Sequence, residues 1–380
     1  MYIHRQIEDL IRNSLNQARI VILYGARQVG KTTLLKNLFP KIDKNIIHLA
    51  CDQIRIQDQL VADDLALKQL LGEKAIVIFD EMQSLPNPGL ILKIIYDHMP
   101  GIMAVATGSA SFDLANKVSE PLTGRHHRFQ LFPFSFSEIS KVVDAVDLQS
   151  IVQESLIVGS YPKIFNTVKM EDKVQELLLL ADNYLYKDIL TFDLVKNSHK
   201  VRELLIAVAL QLGNEVSYNE LGRRLGMNYK TIERYLDLLE KSFVIFRLHG
   251  FSRNLRKEIT RKVKIYFYDC GIRNALINNF NPLSMRADGG ALFENYIISE
   301  LVKKESLSYP HANFYFWRTH SGQEIDFIAD KNGKLTMIEC KLSRLHTGST
   351  AFDAFTKSYP GSEFKLITLD DFNSVKNLLL

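Results

Sequence analysis

Gly25-Ala26-Arg27-Gln28-Val29-Gly30-Lys31-Thr32 sets two glycines, a lysine and a hydroxyl at the spacing GxxxxGK[ST], with Thr33 following. Residues of these types at this spacing bind a polyphosphate. The glycines let the backbone bend until successive N–H groups point inward at one anion, and Lys31 reaches the outer phosphates. The Thr32 hydroxyl is then a ligand for Mg²⁺. A second constellation, Asp80-Glu81, closes the apolar run AIVIFDE. Alone such a run is ordinary. Downstream of a phosphate loop it supplies one acid to hold Mg²⁺ through water, Asp80, and one to orient and deprotonate the attacking water, Glu81. Thr107 and Ser109 follow another apolar run, IMAVA, and offer hydroxyls to a γ-phosphate or the lytic water; a plain turn is the bland alternative. Arg125 has the chemistry to neutralise charge developing on a transferring phosphoryl group, from its own chain or a neighbouring one, and a surface ion pair explains it equally well.

A third constellation lies near the end of the chain. Asn332-Gly333 is a strong two-residue hairpin signal, and counting back along both strands sets Asp326 opposite Glu339. Period two puts Glu339 and Lys341 on one face and Ile338, Cys340 and Leu342 on the other. Two carboxylates across a ladder repel each other. A divalent ion between them, Mg²⁺ or Mn²⁺, removes that cost, and with Lys341 adjacent the pattern is one of metal-dependent phosphodiester hydrolysis. The alternative is an exposed hairpin with solvated acids.

The elements that position these groups are legible. The run Ile20 to Tyr24 and the helical pattern after Lys31 give the strand-loop-helix context that a phosphate loop requires. NIIHLA reads as a second strand, and Ile7, Leu10, Ile11 and Leu15 mark a leading helix without chemistry of its own. Residues 136–200 read as a helical lid, in which Gly159-Ser160-Tyr161-Pro162 is a tight turn. In 201–280, a capping box of Ser217 and Glu220, a stop at Gly226 and a cap at Asn228 outline two helices about a turn, followed by an apolar run. This has the form of a winged helix-turn-helix. From Arg223 to Lys264, twelve Lys or Arg stand against four Asp or Glu. Lys230, Thr231 and Arg234 fall off the apolar stripe of Ile232, Tyr235, Leu236 and Leu239, as phosphate contacts along a duplex would. Plain packing modules share this form.

GARQVGKTTL, IVIFDE, ATGSA, LTGRHHRFQLFPFSF, GSYP and KIYFYDCGIRNAL together resemble one prokaryotic family, the AAA-type P-loop ATPases that carry a C-terminal domain of unknown function similar to PD-(D/E)xK nucleases. The resemblance covers nearly the whole chain and is weaker in its second half. It implies an additional-strand, catalytic-glutamate core, Thr107 or Ser109 as first sensor and Arg125 as arginine finger. Glu294 matches the third acid of the nuclease-like motif. It implies no substrate, and EIDF stands here where the nuclease group has its PD dipeptide.

The 380 residues, 46% hydrophobic and 24% charged, are ample for two or three domains. A net charge of +4 argues nothing about nucleic acid by itself. The three scattered cysteines exclude a disulfide framework and fit a reducing cytoplasm, and no run is long and apolar enough to span a bilayer. The expected architecture is α/β: a P-loop domain (1–135), a helical lid (136–200), a winged-helix region (201–280) and a small α/β nuclease-like domain (281–380). The expected ligands are ATP and Mg²⁺, with nucleic acid, DNA ahead of RNA, as partner and a homo-oligomer if Arg125 acts across copies. Rival readings are a nucleotide-controlled switch and a DNA-binding regulator that cuts nothing.

Overall fold

The computed structural model describes residues 2–39, 45–109, 124–190, 198–252, 262–319, 322–343 and 350–380. The chain divides into two units, Met1–Phe132 with Lys241–Phe243, and Pro133–Glu240 with Val244–Leu380.

In the first unit, β1 (Ile20–Tyr24), β2 (Ile46–Ala50), β3 (Ala75–Asp80), β4 (Ile102–Gly108) and β5 (His127–Gln130) form one sheet in the order β2-β3-β4-β1-β5. Every pairing is parallel. All of β1 and all of β3 but Asp80 are buried, the signature of strands covered on both faces. Helix Ile7–Ala18 covers part of the sheet with Ile7, Ile11 and Leu15. Because all strands point the same way, the loop after β1 and the acids closing β3 share one edge, with the end of β4 between them.

The second unit opens with the helices Phe136–Ile139, Leu148–Val158, Pro162–Asn166, Met170–Leu190 and Ser198–Leu210. Then come β6 (Glu215–Ser217), the helices Tyr218–Leu225 and Tyr229–Lys241, β7 (Ile245–Gly250) and β8 (Lys262–Phe267). Gly226 stops the first of these two helices at φ 64°, and the Asn228 side chain caps the second by accepting from Thr231 N at 2.8 Å. The expected capping box does not form. Ser217, which also ends β6 opposite Lys262, stands at the N-cap in the usual extended backbone, but its side chain makes no capping bond.

β9 (Asn313–Arg318), β10 (Glu324–Lys331), β11 (Lys334–Lys341) and β12 (Glu363–Thr368) complete the unit. They do not make a sheet of their own. A seven-stranded sheet runs β12-β11-β10-β9-β7-β8-β6, and the parallel pair of β7 with β9 joins the helix-turn-helix strands to the C-terminal hairpin. The helix Gly289–Glu305 packs against β8 and β11. Gly159-Ser160 belongs to a buried joint. Ser160 N donates to Asp269 Oδ2 at 2.7 Å, and a Cβ on Gly159 would lie 2.0 Å from Asp269 Oδ1.

Candidate functional site

The phosphate loop leaves β1 at Gly25, where a Cβ would meet the carbonyl oxygen of Leu131 at 2.2 Å, so only glycine fits. Gln28 and Gly30 turn the loop at φ 61° and 94°, and the helix Lys31–Leu38 starts directly after it. Lys31 is buried and donates to the carbonyls of Gly25 and Ala26 at 2.8 and 3.0 Å, inside the curve of its own loop. Ala26 and Val29 pack inward, Arg27 is half-buried, and Gln28 and Thr33 are exposed.

At the end of β3, Asp80 gathers the neighbouring hydroxyls. Thr32 Oγ1 donates to Asp80 Oδ2 at 2.8 Å, and Thr107 Oγ1 to Asp80 Oδ1 at 2.5 Å. Thr107 also accepts from Glu81 N at 3.2 Å. Glu81 adopts φ 53°, and its Oε2 accepts from Gln83 Nε2 at 2.5 Å; the same nitrogen is 3.4 Å from Ser109 Oγ. The structure therefore brings Lys31, Thr32, Asp80, Glu81, Thr107 and Ser109 to one strand edge. The pair of Thr32 and Asp80, a hydroxyl on a carboxylate beside a phosphate loop, is a donor set that fits a nucleotide-bound Mg²⁺.

Arg125 is not at that edge. It precedes β5, whose His127 pairs with Val21 near the start of β1, and it bonds Asp97 at 3.4 Å with Tyr96 beneath it at 5.7 Å. The phosphate loop lies at the other end of β1, roughly 16 Å away for five residues of strand. Two residues without a motif do reach the site. Arg5, buried ahead of the first helix, donates to Val29 O at 2.9 Å and Phe132 O at 2.6 Å, and so clamps the phosphate loop. Gln83 holds Glu81. Neither has a spacing signal; Arg5 acts through a contact far along the chain.

In the second unit, Asn332 and Gly333 turn the hairpin at φ 56° and 82°, as a type I′ turn requires. The register Lys331 with Lys334 runs as far as Phe327 with Ile338, one step short of Asp326 and Glu339. An irregularity in the pairing of β10 with β9 falls between Ile325 and Ile328, beside Asp326. The acids expected to hold a metal are met instead by protein cations. Lys264, 1% exposed on β8, lies 2.6 Å from Glu324 Oε1, 3.4 Å from Asp326 Oδ1 and 3.7 Å from Glu294 Oε1. Lys341 Nζ is 3.2 Å from Glu339 Oε1. Tyr266 donates to Glu294 Oε1 at 2.5 Å. Burial lowers the affinity of Lys264 for its proton, but Glu294, Asp326 and Glu324 outweigh it and hold the ammonium above the usual lysine range. Burial first and Asp326 second raise the Glu294 carboxyl to about 7. Among the described residues, no three His, Cys, Asp or Glu side chains are grouped to hold a metal ion. In the sequence Lys264 counts only as one of the twelve basic residues from Arg223 onward. The available signal was its place between Val263 and Ile265, on the strand face it shares with Lys262 and Tyr266.

On the helix Tyr229–Lys241, Ile232, Tyr235, Leu236 and Leu239 are buried, whereas Lys230 and Arg234 are exposed. With Asn228, Tyr229 and Thr231 they line an open pocket of about 480 Å³. Residues 253–261, part of the basic stretch, lie outside the described residues. No helix among the described residues is long and apolar enough to cross a membrane.

Residues 17–140 match the model of an AAA domain, 149–283 a domain of unknown function (DUF8612), and 289–371 a second domain of unknown function (DUF4143). An uncharacterised protein of Mycobacterium tuberculosis is 27% identical over 338 residues, 87% of this chain and 72% of its own length. An uncharacterised protein of Methanocaldococcus jannaschii is 25% identical over 350 residues, covering 80% and 72%. Among solved structures, a Walker-type ATPase of Pyrococcus abyssi is similar in fold, with a TM-score of 0.50 at 16% identity over 73% of this chain and 96% of that one. The first unit thus carries an AAA-type P-loop NTPase fold.

Proposed function

We propose that this chain binds and hydrolyses ATP with Mg²⁺ in its first unit and acts on nucleic acid through its second. The observation that carries the first half is the Asp80 carboxylate held between the hydroxyls of Thr32 and Thr107, next to Glu81 and beside a glycine-hinged loop. Backbone N–H groups of residues 25–33 cradle the phosphates, and Lys31 gives up its two carbonyls for phosphate oxygens. Thr32 and Asp80 would hold Mg²⁺, which supplies charge neutralisation at the β- and γ-phosphates. Glu81 takes the proton of the attacking water, with Oε2 steadied by Gln83. Thr107 fixes the Asp80 carboxylate and the Glu81 backbone, and Ser109 stands beside Gln83. Arg125 stands away from this site in an ion pair with Asp97, so a role in hydrolysis would require it to act from a neighbouring copy in a homo-oligomer.

Exposed Lys230 and Arg234 on a helix-turn-helix support nucleic acid as the partner, duplex DNA first. The nuclease-like resemblance suggests phosphodiester cleavage by Asp326, Glu339 and Lys341. Lys264 favours the other reading of the same sheet, a recognition module that does not cut. The test incubates the purified chain with plasmid DNA and Mg²⁺ or Mn²⁺, with and without ATP, alongside Lys31→Ala and Glu339→Ala. The expected result is ATP turnover lost in Lys31→Ala and plasmid bound but not nicked. A wild-type chain that turns over no ATP defeats the first half, and nicking lost in Glu339→Ala defeats the non-cleaving reading.

A further inference from the structure

We propose that Lys264 is the resident cation of the acid cluster formed by Glu294, Glu324 and Asp326, and that this centre takes no divalent metal ion. The proposal deepens the non-cleaving reading and rests on it. An ammonium has three N–H donors, and three carboxylates surround this one at 2.6, 3.4 and 3.7 Å. They arrive from different elements: Glu294 from the helix Gly289–Glu305, Glu324 and Asp326 from β10. β7 and β9 separate β8 from β10 in the sheet, so lysine and acids meet over the strands between them, with Nζ 5.9 Å from the Phe316 ring of β9.

A magnesium or manganese ion binds carboxylate oxygens at about 2.0–2.2 Å and needs their lone pairs. Here one oxygen of each carboxylate faces Lys264, and Glu294 Oε1 also accepts the Tyr266 hydroxyl. A divalent ion entering beside this ammonium, itself 1% exposed, would meet a like charge at close range. The neighbouring acids also carry protein cations, at more exposed positions. Lys341 stands on Glu339, and Arg318 Nη1 is 3.6 Å from both Glu324 and Glu215. The repulsion among facing acids, which a metal would relieve, is therefore relieved by side chains of the chain itself. The result joins β8, β10 and the helix Gly289–Glu305 through one buried charge.

The test is Mn²⁺ binding to the full-length, nucleotide-free chain, read by electron paramagnetic resonance and by thermal melting. Wild type, Glu339→Gln, Asp326→Asn, Lys264→Met and the double variant Lys264→Met with Asp326→Asn are compared. We expect wild type and Glu339→Gln to bind Mn²⁺ identically and to melt at the same temperature with and without millimolar Mn²⁺. Lys264→Met should gain a site, seen as a melting midpoint raised several degrees by Mn²⁺, and lose it again in the double variant. Melting reports this even when Lys264→Met is poorly stable. A Mn²⁺ site in wild type that Asp326→Asn or Glu339→Gln abolishes overturns the proposal, as does a Lys264→Met midpoint that Mn²⁺ leaves unmoved. Plasmid nicking on the same preparations separates the two readings. A wild-type metal site without nicking defeats only the proposal, and nicking lost in Glu339→Gln defeats both.

Discussion

Thr107→Val removes one oxygen and keeps the shape of a fully buried side chain. That oxygen makes two bonds, donating to Asp80 Oδ1 at 2.5 Å and accepting from Glu81 N at 3.2 Å. A hydrogen bond to a charged group contributes about 1.5–3 kcal/mol, and a buried donor left without an acceptor costs about 1–3 kcal/mol. If the first contribution is expressed at the transition state, where the acids must be in register with phosphate and water, kcat falls by roughly 10- to 150-fold, since about 1.4 kcal/mol is tenfold. The phosphate cradle itself is untouched, so the Kd for ATP should move by less than roughly fivefold, and the loss appears in kcat rather than KM. Thr107→Ser keeps the hydroxyl and should stay within roughly threefold of wild type. Steady-state phosphate release gives kcat, and nucleotide titration gives Kd. A Thr107→Val enzyme at full kcat, or a Thr107→Ser enzyme as damaged as Thr107→Val, refutes the role assigned to this hydroxyl.

Arg125→Ala should leave ATP turnover unchanged at dilutions where sedimentation finds single chains and lower it where copies associate; loss in the single chain would contradict the strand-edge placement. Lys230→Ala with Arg234→Ala should weaken duplex binding without regard to sequence and flatten the plot of log K against log salt by about 2, one for each phosphate contact removed; an unchanged slope rules that helix out. Gly159→Ala puts a Cβ 2.0 Å from Asp269 Oδ1 at φ 75° and should cost about 3 kcal/mol or more by urea unfolding; a neutral result would mean that the joint relaxes. Arg286 and Arg273 hold the Asp288 carboxyl down at about 2, against burial, which would raise it. A depressed folded value contributes stability above the unfolded value of about 3.9, and that contribution disappears as pH falls through about 2. Allowing for partial exposure it is about 1 kcal/mol. Asp288→Asn should be less stable at neutral pH and lack that acid limb in pH-dependent melting; an identical limb in the variant removes Asp288 as its source.

The first unit was readable from one dimension because its signals are local. GxxxxGK[ST] lies between a strand and a helix, and AIVIFDE carries its acids at the end of a buried strand; parallel strands must then bring both to one edge. Asn332-Gly333 likewise fixed the hairpin register through backbone geometry that only such residues adopt easily. The Ser217 capping box is the exception: the residue stands at the helix N-cap and ends β6 opposite Lys262, forty-five residues further on, and its side chain makes no capping bond.

What remained for the tertiary structure was every interaction made across the chain. The spacing of residue types could name Lys31, Thr32, Asp80 and Glu81, because the motif and its flanking elements are contiguous. It could not place Arg125 at the opposite edge, attach Arg5 to Val29 and Phe132, or set Lys264 among acids from a helix and a strand that follow it. Strand order decides those contacts, and strand order is a global property of hydrogen-bond pairing and burial rather than of any one segment. The join of β7 to β9 is the deciding case. It makes one sheet of two segments that read as separate, and it lets a lysine occupy the position that the C-terminal sequence pattern by itself would give to a metal ion.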